Sequence, residues 1–543
     1  MTVADLSRES RHAALAAMRS RELDVLVIGG GVVGAGSALD AATRGLDTAL
    51  VEAADWASGT SSRSSKLIHG GLRYLEMLDF HLVREALRER GLLLDSLAPH
   101  LVHPVAFLYP LTHRVWERAY AGSGIALYDL MARRSEGSAG PSRHRHLSQR
   151  AALQAAPVLR PDALVGAIEY YDAQVDDARF TMMLARTAAT NGALVANRAR
   201  VTELLRSGDR VSGARITDVE TGESFSVHAK VVISATGVWS VETQALADVE
   251  DPLRVRASKG VHIVVRRDRL NMTTGLIMRT ESSVLFVIPW DDFWIIGTTD
   301  TDYDADKDNP LVSSDDVEYL LTHVNAVLST PLGRDDVVGA YAGLRPLLDG
   351  GSDATAKLSR EHTVSQPRAG LVVVAGGKFT TYRVMARDAV DRAVENLERA
   401  VAPSRTRDVV VVGGENWGAT WNERRQMALD HGIDVVRIEH LLRRYGSLTS
   451  EVLDLLGHDR SLAAPLPGSD RYLKCEIHYA ATHEGALHLE DVLSRRTHVS
   501  IETSDHGTEA ARHVGAIMAP LLGWDPQRLL EELAMYDSSV GSP

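Results

Sequence analysis

A single cysteine, Cys475, stands among 543 residues. No disulfide can form within such a chain, and a reducing compartment is the natural expectation. Aromatic residues make up only 5% of the sequence, so aliphatic side chains must carry most of the packing. A basic excess is also missing: 59 Lys plus Arg against 72 Asp plus Glu leaves a net charge of −13. That balance argues against wrapping nucleic acid, which needs a basic face, but leaves room for a local site that grips a small anion. No apolar run reaches the roughly 20 residues that cross a bilayer. The longest candidates, around residues 25–33 and 371–376, are broken by glycines, and residues 7–24 mix Arg and Glu into an alanine-rich helical pattern unlike a signal peptide's apolar core. The expectation is a cytoplasmic protein that is neither secreted nor membrane-spanning, with peripheral membrane contact left open. No metal is expected, because Cys475, His478 and His483 do not form a compact triad on a helix.

What is present suits a large globular protein: 45% hydrophobic and 24% charged residues, in a length that allows about three or four packing units. Residues 23–28 form an apolar run of strand length, residues 32–44 have helical spacing, and a second strand at 48–51 ends at Glu52. Residues 58–65, rich in Ser and Gly, fit neither pattern. An amphipathic helix is read at 80–97 and a polar loop at 133–150. A helix at 175–191 has Asp176 and Asp177 at its start and Asn191-Gly192 at its stop. Strand signals follow at 193–204, 211–219 and 224–233, the last two joined at Glu220-Thr221-Gly222. Others lie at 261–265, 284–288 and 294–298, with a turn at Asp291-Asp292, and at 371–374. A helix is read at 380–400, and beyond the linker at 403–407 the pattern is nearly all helical.

The strongest local signal is Gly29-Gly30-Gly31-Val32-Val33-Gly34, a G-x-G-x-x-G between a strand and a helix. Gly29 permits the tight turn, Gly31 lets a pyrophosphate approach the backbone, and Gly34 allows close packing of helix on strand. Glu52 ends the second strand, where a carboxylate receives ribose hydroxyls and disfavours a 2′-phosphate. This motif alone does not separate NAD from FAD. The strand that ends in Ala235-Thr236-Gly237 leans toward FAD, and a second fingerprint for a nicotinamide is not visible.

The segment Thr60-Ser61-Ser62-Arg63-Ser64-Ser65-Lys66-Leu67-Ile68-His69-Gly70-Gly71-Leu72-Arg73-Tyr74-Leu75 resembles the FAD-dependent glycerol-3-phosphate dehydrogenases, within the D-amino-acid-oxidase-like flavoproteins. So do Lys259-Gly260-Val261-His262, Ile296-Gly297-Thr298-Thr299-Asp300, Gly343-Leu344-Arg345-Pro346-Leu347, Gly376-Gly377-Lys378-Phe379-Thr380-Thr381-Tyr382-Arg383 and Asp491-Val492-Leu493-Ser494-Arg495-Arg496-Thr497. The likeness runs in order from about residue 22 to 525. Residues 1–21 extend beyond it, and Val33 stands where some relatives carry a polar residue.

The resemblance implies an α/β fold with an α+β insertion. A Rossmann-like FAD-binding domain would be assembled from 22–80, 176–256 and 336–402. A mixed or antiparallel substrate-binding sheet would come from 81–175 and 257–335, and an all-helical C-terminal domain from 408–530, with 1–21 as an N-terminal extension. It implies non-covalent FAD contacted by Gly29, Gly31, Gly34, Glu52, Thr60, Ser61, Ser65, Lys66, His69, Val201, Gly237, Gly377 and Lys378. The implied substrate is glycerol 3-phosphate, contacted by Arg73, Tyr74, His262, Arg345, Lys378 and Thr380, and oxidised at C2 by hydride transfer to flavin. Arg and Lys suit a phosphate dianion. Arg345, between Gly343 and Pro346, is expected on a rigid turn. His69 is the leading proton acceptor, with a purely flavin-positioning role as its rival, and His262 is the runner-up; on a strand, His262 and Lys259 would face opposite ways. Stabilisation of the alkoxide by the cations without a dedicated base is the third alternative. Membrane quinone is the implied acceptor at the inner face of the cytoplasmic membrane, and a homodimer is allowed. The segment 114–134, with Trp116, Tyr120, Ile125, Leu127, Tyr128 and Leu130 beside Arg114, Arg118, Arg133 and Arg134, is a candidate interfacial helix, although a core-facing helix is the stronger reading and Gly122 and Gly124 weaken both. Two alternatives stay open: an oxidase that reduces oxygen, and a non-catalytic redox-responsive flavoprotein that binds a phosphate metabolite.

Overall fold

The structure is a computed structural model that describes residues 3–71, 79–113, 116–133, 143–250, 252–280, 284–348 and 361–540. Leu23–Ile28 is buried at every position and pairs in parallel with Thr48–Val51 on one side and Ser224–Ser234 on the other. Leu194–Ala196 and Leu371–Gly376 extend this parallel core, and His362–Arg368 closes one edge in antiparallel sense. A continuous apolar strand is what a sheet covered on both faces requires. Val25 and Val27 pack among residues of the helices Val32–Thr43, Asp177–Thr190 and Tyr382–Val394. Leu26 and Ile28 instead join Ala14, Leu15 and Met18 of the helix Arg8–Ser20. The N-terminal extension therefore covers part of the sheet, and Arg11 pairs with the buried Asp218 to fix it there.

The expected strand at 193–204 is two strands, Leu194–Ala196 and Ala199–Ser207, separated by Arg198 at φ +50°. Helix Asp177–Thr190 begins as read, with Asp176 accepting from the Arg179 amide as its cap.

A second, ten-stranded sheet is mixed and mostly antiparallel. It holds the expected strands as Val255–Arg266, Val284–Trp290 and Phe293–Gly297. It also holds Val102–Leu111, Gly166–Val175, Gly275–Arg279 and Val337–Leu348, for which no strand was read. Val337–Leu348, within the 336–402 stretch expected in the FAD-binding domain, pairs along Val255–Arg266 in this second sheet. Leu67–Ile68, within 22–80, pairs there too. The polar loop expected at 133–150 also needs correction. Arg145–Ser148 is a strand against Gly166–Glu169, and Gln149–Ala155 is a helix. His144 is held by Asp129 at 2.6 Å and Arg145 by Glu169.

The C-terminal region is helical as read, apart from a small ribbon at Pro465–Leu466 and Ser469–Leu473. It adds a further helix at Pro526–Val540. Its first helices share a core with the parallel sheet, while the later ones build a core of their own.

Candidate active site

The glycine loop shows why its residues are small. A Cβ on Gly34 would sit 1.8 Å from the Gly29 carbonyl oxygen, and one on Gly29 would sit 2.6 Å from that of Ala235. Gly29 also has φ +109°, in the region that favours glycine. The helix Val32–Thr43 starts directly behind this turn and aims its N-terminus at a cavity of about 520 Å³ between the two sheets. Glu52 closes the loop by accepting from the amides of Gly30 (2.6 Å) and Ala54 (2.8 Å). Burial raises its carboxyl pKa, with those two amides working in the opposite direction.

Most of the expected site residues line this one cavity. Gly29, Gly31, Val33, Glu52, Thr60, Ser61 and Ser65 enter from the first third of the chain, with His69. Val201, Gly237 and His262 come from the middle, and Arg345, Gly377, Lys378 and Thr380 from beyond residue 340. Gly34 packs behind the loop, as its role predicts. Arg73 and Tyr74 lie outside the described residues. Arg63, Trp239 and Met385 also line the cavity and were not singled out in the sequence. Trp239 follows the Ala-Thr-Gly turn directly, and a Cβ on Gly59 would strike its ring at 2.9 Å. Only the fold brings those two together.

The comparisons with known proteins now bear on this geometry. A family model described as FAD dependent oxidoreductase matches residues 24–392, and one described as the C-terminal domain of alpha-glycerophosphate oxidase matches 404–529. The chain is 53% identical over 537 residues to glycerol-3-phosphate dehydrogenase 2 of Mycobacterium tuberculosis, covering 99% of this chain and 91% of that one. It is 39% identical to the human mitochondrial glycerol-3-phosphate dehydrogenase, covering 96% and 74%. The glycerol-3-phosphate dehydrogenase of Bacillus halodurans, solved with FAD, superposes with a TM-score of 0.80 at 28% identity over 98% of both chains. The chain belongs to the FAD-dependent glycerol-3-phosphate dehydrogenases.

FAD is the family's cofactor, and the cradle fits it. Gly31 brings backbone to the cavity wall, Glu52 stands where ribose hydroxyls would meet a carboxylate, and Gly376 and Gly377 (φ +78° and +76°) expose backbone beside Lys378.

Lys66 departs from its expected place. It is absent from the cavity lining and buried in an ion pair with Asp177 at 2.6 Å, also donating to the Ser62 carbonyl. Burial forces this, because an ammonium removed from water needs a carboxylate partner. Arg345 is not on a turn but inside Val337–Leu348. That strand is bonded only to Val255–Arg266 among the described residues, so Pro346 is tolerated there. The Arg345 guanidinium donates to the Thr298 hydroxyl (2.9 Å), the Thr299 carbonyl (3.1 Å) and the Ser258 hydroxyl (3.3 Å), with Asp300 at 3.5 Å. Gly260 makes room for it, since a Cβ there would lie 2.4 Å from Nη2.

His262 and Lys259 face opposite ways, as strand geometry requires. Lys259 pairs with Asp316 at 2.7 Å, whereas His262 faces the cavity. The His262 ring stacks on Tyr341 and its Nε2 meets the Ser65 hydroxyl at 2.8 Å. Burial, then Arg345 and Lys66, push its pKa down to about 3, so the ring is neutral. The His69 amide donates to the Thr380 hydroxyl at 3.1 Å, which ties the two motifs together across 311 residues of sequence.

Proposed function

We propose that the protein oxidises sn-glycerol 3-phosphate to dihydroxyacetone phosphate at a non-covalently held FAD and passes the electrons to membrane quinone at the inner face of the cytoplasmic membrane. The observation that carries this reading is the meeting of Arg345 and Lys378 with His69 and the glycine loop in one cavity of an otherwise acidic protein. When bound, FAD supplies the acceptor for the hydride that leaves C2. Arg345 offers a planar fork to the phosphate dianion, and its hydroxyl and carbonyl partners hold that fork in place. Lys378 adds a compact positive charge. Arg73 and Tyr74 belong to the same substrate set on motif grounds. His69, on the cavity wall, is assigned the C2 hydroxyl proton, while His262 Nε2 is engaged with the Ser65 hydroxyl.

The helix Trp116–Arg133 supports membrane contact. It buries Ile125 and Tyr128 and exposes Tyr120, Leu127 and Leu130 on another face. Gly122 lies within the helix, where the His146 ring takes the space a side chain would need. Among the described residues no helix is long and apolar enough to cross a membrane. An exposed apolar helix face suits shallow insertion instead. The oxidase reading keeps one support, the match of residues 404–529 to a domain described from alpha-glycerophosphate oxidase.

The deciding experiment mixes holoenzyme and glycerol 3-phosphate without oxygen. Bleaching of the flavin absorbance, reversed by a soluble quinone, is the expected result. An unbleached flavin defeats the enzyme reading, and if air is then admitted, stoichiometric peroxide with no quinone reduction transfers the assignment to an oxidase. Cosedimentation with anionic vesicles that falls in Leu127→Asp/Leu130→Asp would support the membrane face, and unchanged cosedimentation would remove it.

A further inference from the structure

The cofactor cavity is bordered by two loops, residues 52–59 and 60–66, and each depends on a buried carboxylate that does not itself line the cavity. In the first loop, Glu52, Ala54, Ser58 and Gly59 face the cavity, while Asp55 points away and is fully buried. Its carboxylate accepts from Arg495 Nε at 2.6 Å and from Arg496 Nη1 and Nη2 at 2.8 and 2.7 Å. Both arginines come from the turn Asp491–Arg496 of the C-terminal helical region. In the second loop, Asp177 accepts from the Ser64 amide (3.0 Å) and hydroxyl (2.6 Å) and pairs with Lys66. It thereby fixes the backbone that presents Ser65. The preceding Asp176 meets His498 at 2.9 Å and Arg444 at 3.4 Å, again from the C-terminal region.

Ion pairs this deep contribute little net stability compared with apolar packing, so their use lies in specifying one arrangement. The carboxylate of Asp55 is three residues from Glu52, the group placed to receive ribose. A rigid support behind a binding group lowers the ordering cost when the ligand arrives. We infer that the C-terminal helical region sets the position of the two cofactor loops, with Arg495 and Arg496 as positioning residues for FAD that act through Asp55. This assigns the region a role in holding the cofactor, and it stands whether or not glycerol 3-phosphate is the substrate.

The test compares R495K and R496K with E451Q in the full-length holoenzyme. Glu451 also joins the C-terminal region to the Asp177–Thr190 helix, by accepting from Arg186 (3.3 Å) and from the Tyr479 hydroxyl (2.7 Å), but neither cavity loop is involved. Lysine keeps the charge and loses the planar fork. The FAD dissociation constant is read from flavin fluorescence on dilution, beside thermal unfolding of the same samples. The lysine variants are expected to raise that constant about tenfold or more, whereas E451Q stays within about twofold of wild type. The substrate KM measured at saturating FAD should stay unchanged in all three. Lysine variants that hold FAD within twofold of wild type would overturn the inference, as would an E451Q protein that loosens FAD equally at the same loss of thermal stability. If R496K does not accumulate as folded protein, R495K carries the test, because Arg496 still holds both oxygens of Asp55 there.

Discussion

Arginine is used in two opposite ways in this molecule. At the cavity, Arg345 is held by two hydroxyls and a carbonyl, with Asp300 at 3.5 Å. At the junction with the C-terminal region, Arg179 meets both oxygens of Glu484, and Arg495 contacts Asp55, Glu490 and Asp491 together. Glu484, Glu490 and Asp491 are held ionised by their cations despite burial. The Glu484 pKa is lowered, burial alone would raise it, and Arg179 overcomes that effect. The Arg345 guanidinium is oriented by hydroxyl and carbonyl oxygens with the Asp300 carboxylate at 3.5 Å, whereas Arg495 meets three carboxylates inside the fold. On the proposed phosphate-clamp reading of Arg345, the same residue type serves recognition in one place and registry in the other.

Breaking each kind of site should separate the two uses. The largest effect is expected from Arg179→Ala, which leaves Glu484 buried without its main partner. A stability loss of about 3–5 kcal/mol, read by denaturant or thermal unfolding, is expected, with substrate KM in the surviving holoenzyme unchanged. Arg345→Ala should do the reverse. KM for glycerol 3-phosphate should rise on the order of 100-fold, or about 2.7 kcal/mol, while flavin absorbance and thermal stability stay near wild type. Wild-type kinetics in that variant would remove Arg345 from the phosphate clamp.

The smallest effect concerns His488, which bridges Glu220 (3.0 Å) and Glu532 (2.9 Å) at the same junction. Burial opposes its charge, but the two carboxylates prevail and raise the pKa from 6.5 to about 9. The folded state therefore binds this proton more tightly than the unfolded one. The resulting stability is complete below about pH 6.5 and is lost as pH rises through about 9. The gap in Tm between wild type and His488→Gln should be widest near pH 6 and shrink by pH 9.5. A gap independent of pH would show that the protonated form contributes nothing.

Legibility in the sequence followed the range of the interaction. The glycine loop, its flanking strand and helix, and the Asp176 cap are determined by neighbours a few residues apart, and each was read in place. The second sheet was much harder to read. Val102–Leu111 carries Pro104 and Pro110, which tell against a strand in isolation. They are accommodated because its pairing to Gly275–Arg279 is confined to Phe107 and Leu108. Arg145–Ser148 has Leu147 as its one apolar residue and is a strand only because Gly166–Val175 lies beside it. Lys66 sits inside a motif whose neighbours line the cavity, yet its side chain turns to Asp177, a residue 111 positions away.

The sequence by itself determined the dinucleotide turn, the choice of FAD through its motifs, the acidic surface with a few motif-bound cations, and the helical character of the C-terminal third. Backbone sterics and motif chemistry fix such features locally. The tertiary structure decided which of the cations faces the cavity, that Arg345 stands on a strand, and that the C-terminal region reaches Asp55 behind the loop that carries Glu52. Those outcomes depend on desolvation and on the partners that burial brings together. A sequence holds that information only through contacts hundreds of residues apart.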